Sequence, residues 1–220
     1  MTEKTRFALL TGGVLLLIAI TGTVLLSQRV RSITGTTPAA AESAGNLHIG
    51  GTLPEFTVHD ADGNPVKASS LVDGEHFVVV NFHHPGCPCA ENCGRLISRM
   101  EADGYGRDVR FIGIMPHDTR TEWVLADLEA QKEAGTVTFP VYFDHDGTAR
   151  ELLGATRTPE VWVLDKDGTI AYWGAPESTL FPGTREHRFL LREAVDALRE
   201  GRRPEVVTYE PIGCLIPEEG

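Results

Sequence analysis

The chain has 220 residues and a formal net charge of −11, with 41% hydrophobic and 23% charged residues. This composition is typical of a globular protein and excludes an intrinsically disordered one. Beyond residue 31 the chain carries 16 basic and 30 acidic residues, and so acidic a surface argues against nucleic acid as a partner and against flat adsorption to anionic lipid.

An uncharged apolar stretch, FALLTGGVLLLIAITGTVLLS, occupies residues 7–27. A helix of this length spans about 30 Å, the thickness of a bilayer core. A cleaved signal peptide would have a shorter apolar core and a cleavage site closer to its end than the small residues at 38–43. We therefore predict a single-pass transmembrane anchor that follows a short N-terminal flank, residues 1–6.

Basic residues lie on both sides of the predicted anchor, so the charge bias alone does not fix its orientation. A lone N-terminal anchor normally exports the chain that follows it. Clustered cysteines also suit a compartment in which disulfides persist. We expect the soluble domain on the extracytoplasmic side of the membrane.

Residues 28–46 are rich in Ser, Thr, Ala and Gly, and we interpret them as a linker. The folded domain is predicted over residues 47–202. It begins with PEFTVHDADGNPV, in which a DG turn joins two short strands. The β-branched run HFVVVNF at 76–82 then predicts a buried central strand.

Helices and strands alternate along the rest of the domain. A helix is predicted from about Pro88, because apolar residues recur at helical spacing from Cys89 to Met100. The further predicted elements are a strand over 109–115, a helix over 119–135, a strand over 138–143, a short helix over 147–154, a hairpin over 161–174 and an amphipathic helix over 184–201. This order predicts an α/β fold with a mixed sheet flanked by helices, followed by a C-terminal tail, residues 203–220.

The segment HHPGCPCAENC, residues 83–93, holds three of the four cysteines. In a right-handed βαβ unit it would lie at the carboxyl end of the first strand, where open α/β sheets place their chemistry. His117 follows the next parallel strand and should reach the same edge. The antiparallel strand that begins after Thr158-Pro159 should bring these two residues there as well.

Pro88 suits the first position of a helix, which makes Cys87 the N-cap and places Cys89 in the first turn. The positive end of the helix dipole favours thiolate there, so we predict Cys87 as the most reactive thiol and the nucleophile. Cys93 lies one turn deeper on the apolar face, where a buried core role is as well supported as a redox role.

These residues resemble a known superfamily. Phe82 five positions before Cys87, with Thr158-Pro159 before the VWVLD strand, resembles thioredoxin-like proteins. The opening GGTLPEFTVHDADGNPVKASSLV is similar to the redoxin branch, which includes alkyl hydroperoxide reductase and thiol-specific antioxidant. The order of HPGCPC, TPEVWVLDKDG and a late GC is similar to a membrane-anchored subgroup of that branch. The resemblance implies a thioredoxin-like sheet and a cis Thr158-Pro159 bond facing Cys87.

The chain departs from the family pattern around the cysteines. Ala90 replaces the second cysteine of the thioredoxin CxxC, which leaves the pair Cys87-Pro88-Cys89. His84 stands where peroxiredoxins have a Thr. The peroxiredoxin active-site Arg would fall at Pro159, although Arg157 could substitute for it. Copper-delivery proteins carry a CxxxC at the Cys87 site, and here that spacing begins two residues later, at Cys89.

The preferred function is a thiol–disulfide oxidoreductase without a cofactor, acting on the dithiol or disulfide of a partner protein. Cys87 would exchange with the partner, and Cys89 or Cys214 would resolve the mixed disulfide. We predict a reversible Cys87–Cys89 disulfide, with Cys214 as a relay. A carrier of copper or zinc is the second hypothesis, with ligands drawn from Cys87, Cys89, Cys93, His84 and His117. A peroxidase that uses Cys87 against a hydroperoxide is the third.

Overall fold

The structure, a computed structural model, describes residues 48–116, 121–180, 183 and 186–217. The predicted anchor at 7–27, the linker at 28–46 and His117 lie outside these residues. Within the described part of the chain, no helix is both long and apolar enough to cross a membrane.

The described residues form short strands and four α-helices in alternation. The strands are β1 Thr57–His59, β2 Pro65–Lys67, β3 Phe77–Phe82, β4 Val109–Pro116, β5 Val141–Asp144, β6 Arg157–Thr158, β7 Glu160–Leu164, β8 Ile170–Gly174, β9 Thr208–Tyr209 and β10 Cys214–Leu215. The helices are α1 Pro88–Ala102, α2 Glu122–Glu133, α3 Thr148–Leu153 and α4 Leu190–Arg199, with 3-10 turns at Ala68–Leu71 and Tyr105–Arg107.

Eight of the described strands form one mixed sheet in the order β2-β1-β5-β4-β3-β7-β8-β9. β3 is parallel to β4 and antiparallel to β7. All six residues of β3 are buried, as expected for a strand covered on both faces. The predicted hairpin near the start, the βαβ unit and the antiparallel return strand are all confirmed.

Alternate residues of the central strands contribute to two apolar cores, one on each face of the sheet. Val79 belongs to the core that contains α1 and α4, and Val78 to the core that contains α3. In α1 the buried side chains of Leu96 and Met100 follow helical spacing. This packing fixes α1 against the sheet, so the start of the helix lies at the carboxyl end of β3.

The last helix starts later than predicted. We expected it over 184–201, and α4 begins at Leu190. The backbone N–H of Arg188 instead donates to the Ser178 hydroxyl oxygen at 2.8 Å, and the Arg188 carbonyl accepts from the Ser178 N–H at 3.0 Å. Because these backbone groups are used by a neighbouring loop, the segment before Leu190 does not join the helix.

The C-terminal tail adds two strands to the fold. β9 pairs in parallel with β8, and β10 pairs antiparallel with β6 in a separate two-stranded sheet. Cys214 therefore lies in a paired strand beside Thr158. Strand pairing therefore holds this part of the tail at the edge of the sheet.

Gly174 tests how firmly β9 is attached to the sheet. A Cβ at this position would lie 2.9 Å from the backbone nitrogen of Tyr209, and the residue has φ +132°. Gly174→Ala should therefore lower the free energy of unfolding by about 3 kcal/mol or more in urea titrations, as overpacking against backbone does.

Gly201→Ala is the matched control, because Gly201 has φ +69° and no neighbour within 4 Å of an added Cβ. Only the left-handed backbone penalty of about 1–2 kcal/mol applies to that variant. Equal losses in the two variants would show that contact with β9 contributes little.

Candidate active site

Cys87 is the N-cap of α1, as predicted, with extended backbone angles of φ −104° and ψ 112° and Pro88 following at the first helical position. Its carbonyl accepts the Glu91 N–H at 3.0 Å, the first hydrogen bond of the helix. The side chain of Cys87 is 2% exposed. Cys89, in the first turn, is a partly exposed free thiol.

Cys87 forms a disulfide with Cys214, across a Cα–Cα distance of 6.2 Å. The predicted Cys87–Cys89 bond is therefore not the one present, and Cys214 holds the position that we assigned to Cys89. Strand pairing explains the difference, because the register of β10 against β6 places Cys214 opposite Thr158. Cys89 remains close, since the sulfur atoms of all three cysteines lie within 4.8 Å of one another.

The Thr158–Pro159 peptide bond is cis, as the resemblance implied. The carbonyl oxygen of Thr158 lies 3.0 Å from Cys87 Sγ. Thr158 and Pro159 are both buried. The turn before β7 thus faces Cys87 directly, and the prediction that these two residues lie beside Cys87 is confirmed.

The tail is bound to this turn through hydrogen bonds to the tail's own backbone groups. Arg157 Nη1 donates to the Gly213 carbonyl at 3.0 Å, and the Ile216 N–H donates to the Thr156 carbonyl at 2.9 Å. Ile216 is 6% exposed and belongs to the core on the α3 face. The guanidinium of Arg157 therefore binds the tail, whereas a peroxidase would need it at the reacting sulfur.

Cys93 is a core residue, one of the two roles that the sequence supported. Its thiol is buried and donates a long hydrogen bond, 3.7 Å, to Asn81 Oδ1. Burial raises the pKa of the Cys93 thiol well above its ordinary value. A thiol that stays protonated in the core is a poor nucleophile and a poor metal ligand.

His83 and His84 begin the cysteine segment, but neither belongs to the group of converging ligand atoms. His84 Nδ1 accepts the Gly86 N–H at 3.2 Å, and its ring lies against Trp123, which is 59% exposed. His83 is fully buried, with Nε2 3.1 Å from Gln131 Oε1, and burial lowers its pKa to about 4. His83 is therefore neutral at physiological pH.

Of the predicted metal ligands that the structure describes, Cys87 and Cys89 lie together, whereas Cys93 and His84 do not join them. Among the described residues, the ligand atoms that converge here belong to Cys87, Cys89 and Cys214. Cys93 and His84 are absent from that group because one is in the core and the other is turned toward Gly86.

Glu160 is a site residue that the sequence analysis missed. It follows Pro159 directly, is fully buried, and accepts the Thr156 and Arg157 backbone N–H groups at 2.9 and 3.3 Å. Burial nevertheless raises its pKa to about 7. A glutamate at the start of the buried run EVWVL was the available signal, since a charged residue in such a strand needs a reason.

A cavity of about 240 Å³ opens beside the cysteines. Cys89 and Pro159 line one side of it, and the exposed side chains of Leu180 and Phe189 lie at its margin. Of the three converging cysteines, Cys89 is the one that lines this cavity, and the buried Cys93 also contributes to its wall.

A cysteine at a helix N-terminus, facing a cis-proline at one edge of a mixed sheet, defines a thioredoxin-like thiol–disulfide oxidoreductase. Residues 49–173, more than half of the chain, match the model of the AhpC/TSA family, and the chain belongs to that family.

The thiol:disulfide interchange protein DsbE of Escherichia coli K12 is 29% identical over 153 residues, covering 67% of this chain and 75% of that protein. DsbE of Vibrio cholerae is 26% identical over 153 residues, covering 68% and 75%. The structure of an uncharacterised conserved protein from Geobacillus kaustophilus aligns with a TM-score of 0.66 at 24% identity, covering 79% of this chain and 94% of that one.

Glu160 should make the free energy of unfolding depend on pH. Its folded pKa of about 7 lies above the ordinary value of 4.5, so the folded state holds a proton that the unfolded state loses first. The free energy of unfolding should therefore fall by about 3 kcal/mol from this group as pH rises from 4.5 through 7. Glu160→Gln should remove that loss in urea titrations at pH 5 and pH 8.

Glu129→Gln, at an exposed position on α2, is the control for a change of one charge. Parallel pH profiles for wild type and Glu160→Gln would contradict the assignment of a raised pKa to Glu160.

Proposed function

We propose that this thiol–disulfide oxidoreductase exchanges disulfides with protein partners through a relay of three thiols, Cys87, Cys89 and Cys214. The observation that carries the proposal is their convergence: two of the sulfurs are bonded, the third is free, and all lie within 4.8 Å. A protein partner is supported by the name of the DsbE relatives, thiol:disulfide interchange protein.

The reducing half of the cycle starts with all three thiols reduced. The Cys87 thiolate, at the positive end of α1, attacks one sulfur of the partner's disulfide, and the partner's other sulfur leaves as a thiolate. Cys214 then attacks Cys87 Sγ, which releases the partner's first sulfur. The partner has gained two electrons and two protons, and the chain holds the Cys87–Cys214 disulfide. In the oxidising direction the same steps run in reverse.

Cys89 reopens the oxidised form. Its thiol is more exposed than Cys87 and lines the cavity, so its thiolate can attack Cys87 Sγ and release Cys214. The resulting Cys87–Cys89 bond closes a small, strained ring, which favours rapid onward exchange. In this scheme the Cys87-Pro88-Cys89 motif supplies the transient disulfide, and Cys87–Cys214 is the stored one.

Two other functions are less well supported by the geometry. Three converging thiolates would suit Cu(I) or zinc, but two of the three sulfurs are consumed by the disulfide. Reduction of a hydroperoxide would need a cationic donor at Cys87, and Arg157 is bound to the Gly213 carbonyl. Disulfide exchange accounts for both arrangements without further assumptions.

Serine variants test the relay in the full chain, in detergent, with a model disulfide substrate. Cys87→Ser should lower the exchange rate by about 100-fold or more, because Cys89 and Cys214 both act on the Cys87 sulfur in this relay and have no sulfur to attack in the variant. Cys89→Ser should still form the Cys87–Cys214 bond. Re-reduction of that bond by an added dithiol should be about tenfold slower than in wild type.

Cys93→Ala is the matched control, since this buried thiol lies outside the converging group, and its exchange rate should stay within about twofold of wild type. Unchanged re-reduction in Cys89→Ser would contradict the role of Cys89. Stoichiometric, chelator-sensitive metal in the reduced protein, without exchange activity, would favour the carrier.

We also propose that residues 7–27 anchor the protein and that the domain lies outside the cytoplasm, as the uncharged span and the disulfide chemistry support. A C-terminal alkaline phosphatase fusion, active only after export, should be active in cells, and a β-galactosidase fusion at the same site should not be. The opposite pattern would contradict this topology.

A further inference from the structure

The strand β10 occupies the position that a partner's cysteine segment must take to form a mixed disulfide with Cys87. Its Cys214 sulfur is bonded to Cys87, and its backbone pairs antiparallel with β6, Cys214 opposite Thr158. We propose that β10 is an intramolecular stand-in for a partner's cysteine segment, and that the residues around Cys214 are those that a partner must carry to replace β10 on the edge of β6, called here the docking edge. The proposal rests on the proposed function and adds the kind of partner sequence that fits.

Displacement of β10 breaks a short strand pairing, a few hydrogen bonds to backbone groups of the tail and the packing of Ile216, and a partner segment can replace each of these contacts. The pairing involves two residue pairs, Cys214 with Thr158 and Leu215 with Arg157. The bonds from Arg157 to the Gly213 carbonyl and from Ile216 to the Thr156 carbonyl use only the backbone of the tail. An extended peptide of any sequence can form equivalent bonds, which is how strand addition provides affinity.

Side-chain positions next to the cysteine provide the specificity. At Gly213 an added Cβ would lie 2.7 Å from the Thr158 carbonyl carbon and 3.0 Å from Pro159 Cδ. Those atoms belong to the backbone and the proline ring, so they cannot move aside cheaply. A partner that binds in the register of β10 must therefore have glycine immediately before its reacting cysteine.

The two positions after the cysteine differ in their demands. Leu215 is 70% exposed, whereas Ile216 is 6% exposed and enters the core on the α3 face. A partner residue one position after the cysteine is therefore unrestricted, and the next one must be aliphatic. The recognised segment reads glycine, cysteine, any residue, aliphatic residue.

Peptides derived from the tail test this specificity. The probe is the peptide Pro-Ile-Gly-Cys-Leu-Ile-Pro, with its cysteine activated as a 2-pyridyl disulfide, together with versions carrying alanine or valine in place of glycine. The protein is the full chain in detergent with Cys89→Ser, Cys214→Ser and Gly213→Ala, and the last change opens the edge of β6 because the added Cβ prevents the tail from pairing there. The Cys87 thiolate attacks the peptide sulfur, a Cys87–peptide disulfide forms, and pyridine-2-thione leaves with a measurable absorbance.

The glycine peptide should react at least about tenfold faster than the alanine peptide, which corresponds to about 1.4 kcal/mol, and valine should be slower still. Free N-acetylcysteine calibrates the intrinsic reactivity of each peptide. Arg157→Gln should slow the reaction with the glycine peptide by a larger factor than the reaction with 2,2′-dithiodipyridine, because that reagent needs no docking edge. Within the otherwise unmodified chain, Gly213→Ala should leave Cys214 free under oxidising conditions, whereas Gly201→Ala should not.

Equal rates for the three peptides, or failure of all three while 2,2′-dithiodipyridine still modifies Cys87, would overturn the docking edge and leave the proposed function standing. If 2,2′-dithiodipyridine also fails to modify Cys87, the proposed function is contradicted and the inference falls with it.

Discussion

The pairing of β10 with β6 is the contact on which the arrangement of the site depends. It places Cys214 opposite Thr158, and the Thr158 carbonyl oxygen lies 3.0 Å from Cys87 Sγ. Without this register the fourth cysteine would be a distant thiol in a C-terminal tail. With it, the last strand of the chain brings a second sulfur to the N-terminus of α1, and Gly213 is the residue that permits so close an approach.

The surroundings of the three thiols divide their chemistry. Cys87 is buried beneath the tail and bonded to it, whereas Cys89 faces a cavity beside Pro159. Burial raises the pKa of Glu160, the acidic residue that follows the cis-proline, to about 7. A thiolate at the helix start therefore has the dipole of α1 in its favour, and this carboxyl opposes it less than a fully ionised one would.

Short-range sequence patterns were enough to predict many of the strands, turns and helices. The continuous run of β3, the DG turns and the stripe of α1 each identify their element, because side-chain period and turn chemistry depend only on neighbours in the chain. Two features could not be predicted in this way. The start of α4 depends on hydrogen bonds between Arg188 and Ser178, and the partner of Cys87 depends on a two-residue strand more than a hundred positions away. In each case a tertiary contact overrides the local pattern. Cys87 and Cys89 are close in sequence, which suggested a bond between them, but strand pairing brings Cys214 to Cys87 instead.

Disulfide mapping across a redox titration shows which cysteine is bonded to Cys87 at each potential. The full chain would be equilibrated in buffers of graded potential, alkylated, digested and analysed by mass spectrometry. We expect Cys87–Cys214 as the main disulfide in the fully oxidised protein, with Cys89 and Cys93 alkylated, and Cys87–Cys89 as a minor species at intermediate potentials. A fully oxidised protein with Cys87 bonded to Cys89 and with Cys214 alkylated would contradict this expectation.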